Sequence, residues 1–153
     1  MKKSVYLAGP MTGMLVGQSR DGWRRRARMF LEPKGVEVLS PLRHWDEIPD
    51  GHEMGAIGED RVGGVLVSGR LNFRRDVVDI IRADCIYANF NGSTRMSGGS
   101  FSEGGMAYIL HKPVVVFYGD DTFHNHLFWN EIGSAFPKTE EEALACVATF
   151  LNI

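Results

Sequence analysis

The sequence contains little cysteine. Its two cysteines, Cys85 and Cys146, are far apart and neither belongs to a Cys-x-x-Cys pair, so neither a disulfide framework nor a zinc–cysteine cluster is indicated. The chain also lacks an excess of charge of one sign, because 17 Lys and Arg residues face 19 Asp and Glu residues and the formal net charge is −2. Proteins that coat DNA or RNA are usually strongly basic, so a nucleic-acid polymer is not the expected partner.

Long apolar runs are absent as well. No window approaches the roughly 18 consecutive apolar residues of a membrane span, and the short apolar stretch that follows Ser4 is too brief for a signal peptide and lacks a cleavage site. With 153 residues, 44% hydrophobic and 24% charged, the chain has the size and composition of one soluble globular domain. We therefore expect a single cytoplasmic domain over residues 1–153, without a membrane partner.

Four short apolar runs, each closed by turn residues, are typical of buried parallel strands. These runs are residues 5–8, 36–39, 85–90 and 114–118. Helical patterns separate and follow them, at residues 23–31, 73–83, 101–111 and 140–151. Because strands and helices alternate, the sequence predicts an α/β fold with an open parallel sheet of four to five strands flanked by helices.

Residues 41–70 are the exception to this alternation. The segment contains six glycines and shows no sustained period. Long glycine-rich loops in small domains often serve as lids or binding loops. We therefore expect residues 41–70 to form a loop or lid that influences the choice of substrate.

The candidate site walls are the segments that follow the predicted strands, because ligands of open α/β sheets bind beyond the carboxyl ends of the strands. The richest of them is residues 97–105, Ser-Gly-Gly-Ser-Phe-Ser-Glu-Gly-Gly. Its glycines allow backbone to approach a ligand closely, and the helix that follows offers free N–H groups to an anion. The segment matches neither the Walker loop, nor GxGxxG, nor GxSxG, so it points to a phosphate or sugar without naming a reaction.

Two interpretations of Glu103 remain open on spacing alone. Ser100 and Glu103 have the spacing of a capping box, in which the glutamate reaches back to the first residue of a helix, and this structural role is the favoured one. The positive end of a helix also favours an ionised carboxylate, as a nucleophile requires. For Asp76 and Asp79, which share a helix face, the default interpretation is a solvated surface, and for Asp84 a helix–strand turn.

Three blocks of sequence carry a resemblance. They are Tyr6-Leu7-Ala8-Gly9-Pro10, then Asp76 followed by Ile80-Ile81-Arg82-Ala83-Asp84, and then residues 99–107 followed by Lys112-Pro113-Val114-Val115. In this order, over roughly residues 5–117, the blocks resemble the nucleoside 2-deoxyribosyltransferase family.

The resemblance implies a flavodoxin-like fold and cleavage of the N-glycosidic bond between a base and a (deoxy)ribose. It implies that Glu103 is the nucleophile, that Asp76 handles the base and its proton, and that Tyr6 lies against the nucleophile. This is the retaining two-carboxylate scheme, which passes through a glycosyl-enzyme intermediate. No cofactor and no metal are expected.

Ser97 departs from the family's pattern. The family commonly has an aspartate six residues before the nucleophile, where it holds the 5′-hydroxyl of the sugar. With a serine at this position, the sequence resembles the related nucleoside 5′-monophosphate N-glycosidases, whose pocket accepts a phosphate. The residues expected to assist Ser97 in binding substrate are Gly9, Pro10, Met11, Thr12, Gly98, Gly99 and Ser100.

Ser97 therefore favours a nucleotide hydrolase, in which water resolves the intermediate. The alternative is a transferase that passes the sugar to another base, with Ser97 as a plain loop residue. An alternative of another class is a non-catalytic nucleotide-binding or sensing domain, although an anion-binding pocket gains nothing from two carboxylates.

The segment after the fourth strand carries two further expectations. His124 and His126 lie beside two aspartates, which is weak support for a metal, so no metal site is predicted. The family resemblance implies that residues of this region complete the site of a neighbouring subunit, and Asn130 is a candidate. We therefore expect at least a homodimer with a shared site.

Overall fold

Strands and helices alternate along the chain. The structure, a computed structural model, describes residues 2–43, 45, 48–54, 59–62 and 65–153, with residues 59–62 and 65–67 described by their backbone alone. Its elements are β1 (Ser4–Ala8), α1 (Val16–Asp21), α2 (Trp23–Leu31), a 3₁₀ turn (Glu32–Lys34), β2 (Glu37–Leu39), β3 (Glu59–Val62), β4 (Val65–Ser68), α3 (Gly69–Arg82), β5 (Cys85–Asn89), α4 (Gly98–Ile109), β6 (Val114–Phe117), α5 (Leu127–Ile132) and α6 (Glu140–Leu151).

The central sheet has four parallel strands in the order β2-β1-β5-β6. This confirms the predicted flavodoxin-like α/β fold, and each of the four predicted strands lies within one residue of an observed one. Chain order reverses between β1 and β5, because β2 continues the sheet on one side of β1 and β5 begins on the other. Ligands of such sheets bind at this switch point, beyond the carboxyl ends of the strands.

Helices cover both faces of the sheet, and each face has its own apolar core. On one face Val5 and Leu7 of β1 pack with α2 and α6, and on the other Tyr6 and Ala8 pack with α3, α4 and α5. The alternation follows from the two-residue period of a strand. Its consequence for function is that Tyr6 faces the two helices that carry Asp76 and Glu103.

Close approach of α4 to the aromatic core requires a glycine at position 104. A Cβ on Gly104 would lie 2.7 Å from the Trp129 ring, closer than real Cβ atoms come to other atoms. Trp129 itself is fully buried and packs edge-on against Phe90. The lack of a side chain at Gly104 therefore allows α4 to pack closely against the sheet, next to Tyr6.

The structure corrects the predicted loop over residues 41–70. Within this segment β3 and β4 form an antiparallel hairpin, and α3 begins at Gly69, four residues before the predicted start. Ser68 caps α3 by accepting the Leu71 N–H. Residues 44, 46–47, 55–58 and 63–64 lie outside the described residues, and a role as a lid stays a prediction.

Two short helices, α1 and α5, have no counterpart among the predicted elements. Each has six residues, which is too short for a helical period to be recognised from sequence. None of the helices in the described ranges combines the length and the apolar character needed to cross a membrane.

Candidate active site

The candidate site is a pocket at the switch point of the sheet. Its volume is about 480 Å³. One wall is the loop after β1 and the other is the end of the loop after β5 with the first turns of α4. The lining residues are Gly9, Pro10, Met11, Thr12, Arg95, Met96, Ser97, Gly98, Gly99, Ser100 and Glu103.

This lining includes every predicted substrate-binding residue except Asn130. The loop after β1 starts at Gly9, which is packed so tightly that a Cβ there would lie 2.6 Å from the Asn89 carbonyl oxygen of β5. Gly9 therefore brings the two walls together at the switch point.

Tyr6 and Glu103 meet in this pocket. The Tyr6 hydroxyl donates a hydrogen bond of 2.6 Å to Glu103 Oε1, and Tyr6 itself is fully buried. Desolvation raises the pKa of Glu103 to about 8, against the lowering effect of the Tyr6 hydrogen bond and of Arg24. The pKa of Tyr6 is raised well above its usual value, first by burial and then by Glu103, so its hydroxyl remains a donor at neutral pH.

The capping-box interpretation of Glu103 is wrong. The cap of α4 is Ser97, whose Oγ accepts the Ser100 N–H at 3.2 Å, so Glu103 belongs to the second turn of the helix. The sequence pattern favoured Ser100 as the cap, but serine is a good cap at both position 97 and position 100, and the helix begins after the earlier one. Because Glu103 does not cap the helix, its carboxylate is available to interact with Tyr6.

Asp76 lies on α3, is only 7% exposed and is not among the residues that line the pocket. Burial raises its pKa to about 6, against the lowering effect of Arg75, whose Nη2 lies 3.5 Å from Asp76 Oδ1. Its charge in turn raises the pKa of Glu103 and of Tyr6. Two carboxyl groups of raised pKa therefore share this region, an arrangement common at catalytic sites.

The solvated-face interpretation is wrong for both aspartates of α3. Asp79 is 1% exposed and pairs with Arg43 and with Arg82, whose Nε lies 3.2 Å from Asp79 Oδ1. Asp84 fits its predicted turn, where it accepts the Ser4 N–H at 2.8 Å and anchors the start of β1.

Arg24 is a site residue that the sequence interpretation missed. It is 1% exposed, Nη2 donates to the Gly9 carbonyl oxygen at 3.0 Å, and Nη1 donates to Ser19 Oγ at 2.8 Å. Its Nε is buried and has no hydrogen-bond partner in the part of the chain that the structure describes. Burial lowers its pKa to about 10, opposed first by the negative charge of Glu103, so the side chain stays charged at neutral pH.

Arg24 was hidden among four arginines on one helix, a pattern that usually indicates a solvated face. The available signal was its spacing: Arg24, Ala27 and Leu31 recur at helical intervals, and all three are buried.

Arg95 is the second missed residue. Its side chain is exposed, lines the pocket and makes no hydrogen bond or ion pair with any described residue. It lies against Gly13 of the opposite loop, where φ is +80° and a Cβ would collide with the guanidinium group. Its position in a loop gave no sequence signal that separates it from other exposed arginines.

The remaining predicted residue, Asn130, is exposed on α5, where its Oδ1 accepts a hydrogen bond from the Tyr118 hydroxyl at 2.9 Å. It does not line the pocket of its own chain. The two histidines near it have other partners: His124 contacts Asp121 and Ser97, and His126 caps α5. Across the described ranges no three His, Cys, Asp or Glu side chains are grouped to hold a metal ion.

The family model of nucleoside 2-deoxyribosyltransferases matches residues 5–142. The chain belongs to the nucleoside 2-deoxyribosyltransferase family. Family membership supports glycosyl transfer or cleavage at a nucleoside as the activity. No curated protein sequence matches the chain.

Several solved structures share the fold. The chain is similar to a 2-deoxyribosyltransferase from Bacillus psychrosaccharolyticus, with a TM-score of 0.61 and 21% identity, over 92% of this chain and 90% of that one. It is similar to the CMP N-glycosidase BcmB of Clostridium botulinum, with a TM-score of 0.57 and 17% identity, over 97% and 100%.

A third similar structure is the molybdenum cofactor carrier protein of Chlamydomonas reinhardtii, with a TM-score of 0.59 and 12% identity over the whole of both chains. The fold is thus shared by transferases, glycosidases and a carrier, so the choice among these functions depends on the side chains of the site.

Proposed function

We propose that the protein cleaves the N-glycosidic bond of a (deoxy)nucleoside 5′-monophosphate through a covalent intermediate on Glu103 that water resolves. The observation that carries this proposal is the 2.6 Å hydrogen bond between the Tyr6 hydroxyl and Glu103 Oε1 in the pocket. A carboxylate held by one donor, with no hydrogen-bond partner for its other oxygen among the described residues, suits attack on a sugar carbon better than an ion pair would.

In the first step Glu103 attacks the anomeric carbon. A carbon–oxygen ester bond forms, the carbon–nitrogen bond to the base breaks, and the bonding electron pair leaves with the base. Asp76 in its protonated form donates its proton to the departing base. Its raised pKa supports this role, because a carboxyl with a pKa of about 6 keeps its proton at a higher pH than an exposed one.

In the second step water attacks the same carbon. The ester bond breaks, Glu103 leaves as a carboxylate, and Asp76 accepts the proton that water loses. The two inversions restore the configuration of the sugar. If a second base occupies the place of water, the same steps make the protein a transferase, which is the alternative function.

A phosphate on the substrate is supported by groups that line the pocket together with Glu103. Arg95 supplies a guanidinium group without an anionic partner, and such groups bind phosphate well. The N–H groups of Gly98 and Gly99, in the first turn of α4, have no acceptor among the described residues. Apart from the proposed nucleophile Glu103, no carboxylate lines the pocket within the described ranges.

The test is to incubate the protein with matched nucleosides and 5′-monophosphates and to measure free base by chromatography. The hydrolase releases base from monophosphates in buffer alone, whereas the transferase requires an added acceptor base. Glu103→Gln should abolish release, and Glu131→Gln, which changes an exposed glutamate, should not. If the wild-type protein binds nucleotides but cleaves none of them, the binding or sensing function replaces the proposal.

We also propose that the protein works as a homodimer. Large apolar side chains remain exposed on the helices of one sheet face, at Val78 and Ile81 of α3, Tyr108 and Ile109 of α4, and Leu127 and Phe128 of α5. The same face carries Asn130, which does not line the pocket of its own chain and would be available to that of a second copy.

Analytical ultracentrifugation tests the assembly. Ile109→Glu should convert the dimer to a monomer and lower activity, because Ile109 is 75% exposed on this face. Met29→Glu is the matched control, since Met29 is 66% exposed on α2, which covers the opposite face of the sheet. A monomeric wild-type protein with full activity would contradict the shared site.

A further inference from the structure

Two buried titratable groups take no part in the proposed reaction. His124 is fully buried, and its ring stacks on Phe90 with centroids 4.1 Å apart and planes 5° from parallel. The Asp121 carboxylate is buried beside it, with both oxygens 3.2 Å from His124 Nδ1. Asp121 also accepts the backbone N–H of His124 at 2.8 Å, so the pair is held from two directions.

The other ring nitrogen of His124 fixes the tautomer. The backbone N–H of Ser97 donates to His124 Nε2 at 2.9 Å. A backbone N–H can only donate, so Nε2 must offer its lone pair, and the neutral ring must carry its hydrogen on Nδ1. That hydrogen then lies between Nδ1 and the Asp121 carboxylate.

Ser97 passes this constraint on to the pocket. Its Oγ accepts the Ser100 N–H at 3.2 Å and the Ser100 hydroxyl at 3.0 Å. With both lone pairs of Oγ occupied, the Ser97 hydroxyl has only its hydrogen left to offer a ligand. Since Ser97 lines the pocket, it presents a donor there, which suits an anion.

We propose that Asp121 and His124 are positioning residues that orient Ser97, through its backbone N–H, to bind the phosphate group of the substrate. The contribution to substrate binding rests on the proposed function. The hydrogen bond to Ser97 and the tautomer do not, so the two can be tested apart.

The first measurement is ¹⁵N NMR of the histidine rings in the wild-type protein. One ring should carry its hydrogen on Nδ1, and its signal should disappear in His124→Gln. The signal should remain in His111→Asn, which changes an exposed histidine at the far end of α4. A His124 ring with its hydrogen on Nε2 would overturn the proposal, whether or not the protein cleaves nucleotides.

The second measurement is the affinity for ribose 5-phosphate and for ribose, by isothermal titration calorimetry. His124→Phe keeps a ring against Phe90 but leaves the Ser97 N–H without an acceptor, so we expect ribose 5-phosphate to bind about tenfold more weakly. His124→Gln offers a side-chain oxygen as acceptor and should recover part of the affinity. His111→Asn should match the wild-type protein.

Each outcome of the titration bears on the proposal. Equal affinity of His124→Phe and the wild-type protein for ribose 5-phosphate would overturn it, as would a wild-type protein that does not bind ribose 5-phosphate, or equal losses for ribose 5-phosphate and ribose. If binding follows the expected order but no nucleotide is cleaved, the positioning role stands and the proposed hydrolysis fails. Should His124→Phe not fold, the comparison of His124→Gln with the wild-type protein and the tautomer measurement decide.

Discussion

The Tyr6 hydroxyl donates to Glu103 Oε1 at 2.6 Å, across 97 positions of sequence. The contact exists because β1 turns Tyr6 toward the face that α4 covers, and because Gly104 lets α4 approach the sheet. It joins the first and third sequence blocks that resemble the family. The chemistry of the site depends on how this pair controls the charge of Glu103.

Removal of the Tyr6 hydroxyl should raise the pKa of Glu103, because the hydrogen bond from Tyr6 lowers it. Glu103 must be ionised to attack and Asp76 must be protonated, so with pKa values of about 8 and about 6 the pKa of Glu103 sets the falling, alkaline limb of the kcat/KM profile. In Tyr6→Phe we expect this alkaline limb to move up by roughly one pH unit and kcat/KM between the two pKa values to fall about tenfold, the equivalent of one hydrogen bond. Tyr87→Phe is the control, since Tyr87 packs on the opposite face of the sheet, and an equal shift in both variants would count against the pairing.

Ionisation of Glu103 should also lower the stability of the folded protein at alkaline pH. Its folded-state pKa of about 8 lies above the usual 4.5, so the folded protein binds more protons between these values and the free energy of unfolding falls as pH rises through that window. Glu103→Gln should therefore be more stable than the wild-type protein at pH 9, by roughly 1 to 3 kcal/mol. The difference should become small near pH 5.

Urea unfolding at the two pH values measures this difference, with Glu131→Gln as the exposed control. A stability difference that does not depend on pH would show that burial does not raise the pKa of Glu103 in this way.

The charge of Arg24 should favour the ionised form of Glu103. Arg24→Met removes that charge, and we expect the alkaline limb of the kcat/KM profile to move to higher pH because Arg24 lowers the pKa of Glu103. Arg24→Lys keeps the charge but not the geometry of the bonds to Gly9 and Ser19, so its limb should stay near the wild-type position. Arg25→Met, which changes an exposed residue of the same helix, is the control. If Arg24→Met and Arg25→Met gave the same pH profile, Arg24 would have no influence on the pKa of Glu103.

Ser97 and Arg95 should set the preference for nucleotides over nucleosides. Ser97→Asp adds a negative charge to the pocket lining, and Arg95→Gln removes a positive one. In each variant we expect the ratio of kcat/KM for a 5′-monophosphate to that for its nucleoside to fall about tenfold. If both variants kept the wild-type ratio, neither Ser97 nor Arg95 would contribute to the preference for a 5′-monophosphate.

The central sheet and the four longer α-helices could be predicted from the sequence. Buried parallel strands are continuous apolar runs, so all four strands of the sheet were found, and α2 and α6 were predicted to the residue. The hairpin of β3 and β4 was not predicted, because it lies in a glycine-rich segment without a period. Local sequence patterns indicate elements that bury one face. They fail where an element is short or lies in a glycine-rich segment.

The site was predicted only in part. Its named residues came from sequence blocks, but their environments depend on tertiary contacts that local patterns do not contain. Spacing alone favoured a helix cap for Glu103 and a solvated face for Asp76, whereas Glu103 contacts Tyr6, the contact that the family resemblance implied, and Asp76 is buried. The burial of Arg24 depends on contacts with Gly9 and Ser19 that only the folded chain brings together.

The covalent intermediate on Glu103 is the central claim, and intact-mass spectrometry tests it most directly. A 5′-monophosphate whose sugar carries fluorine at C2 slows both steps, because fluorine destabilises the oxocarbenium-like transition state. After rapid acid quench, the wild-type protein should gain the mass of the fluorinated sugar phosphate, and peptide mapping should place that mass on Glu103. Base release without any adduct in the wild-type protein, or an equal adduct in Glu103→Gln, would contradict the mechanism.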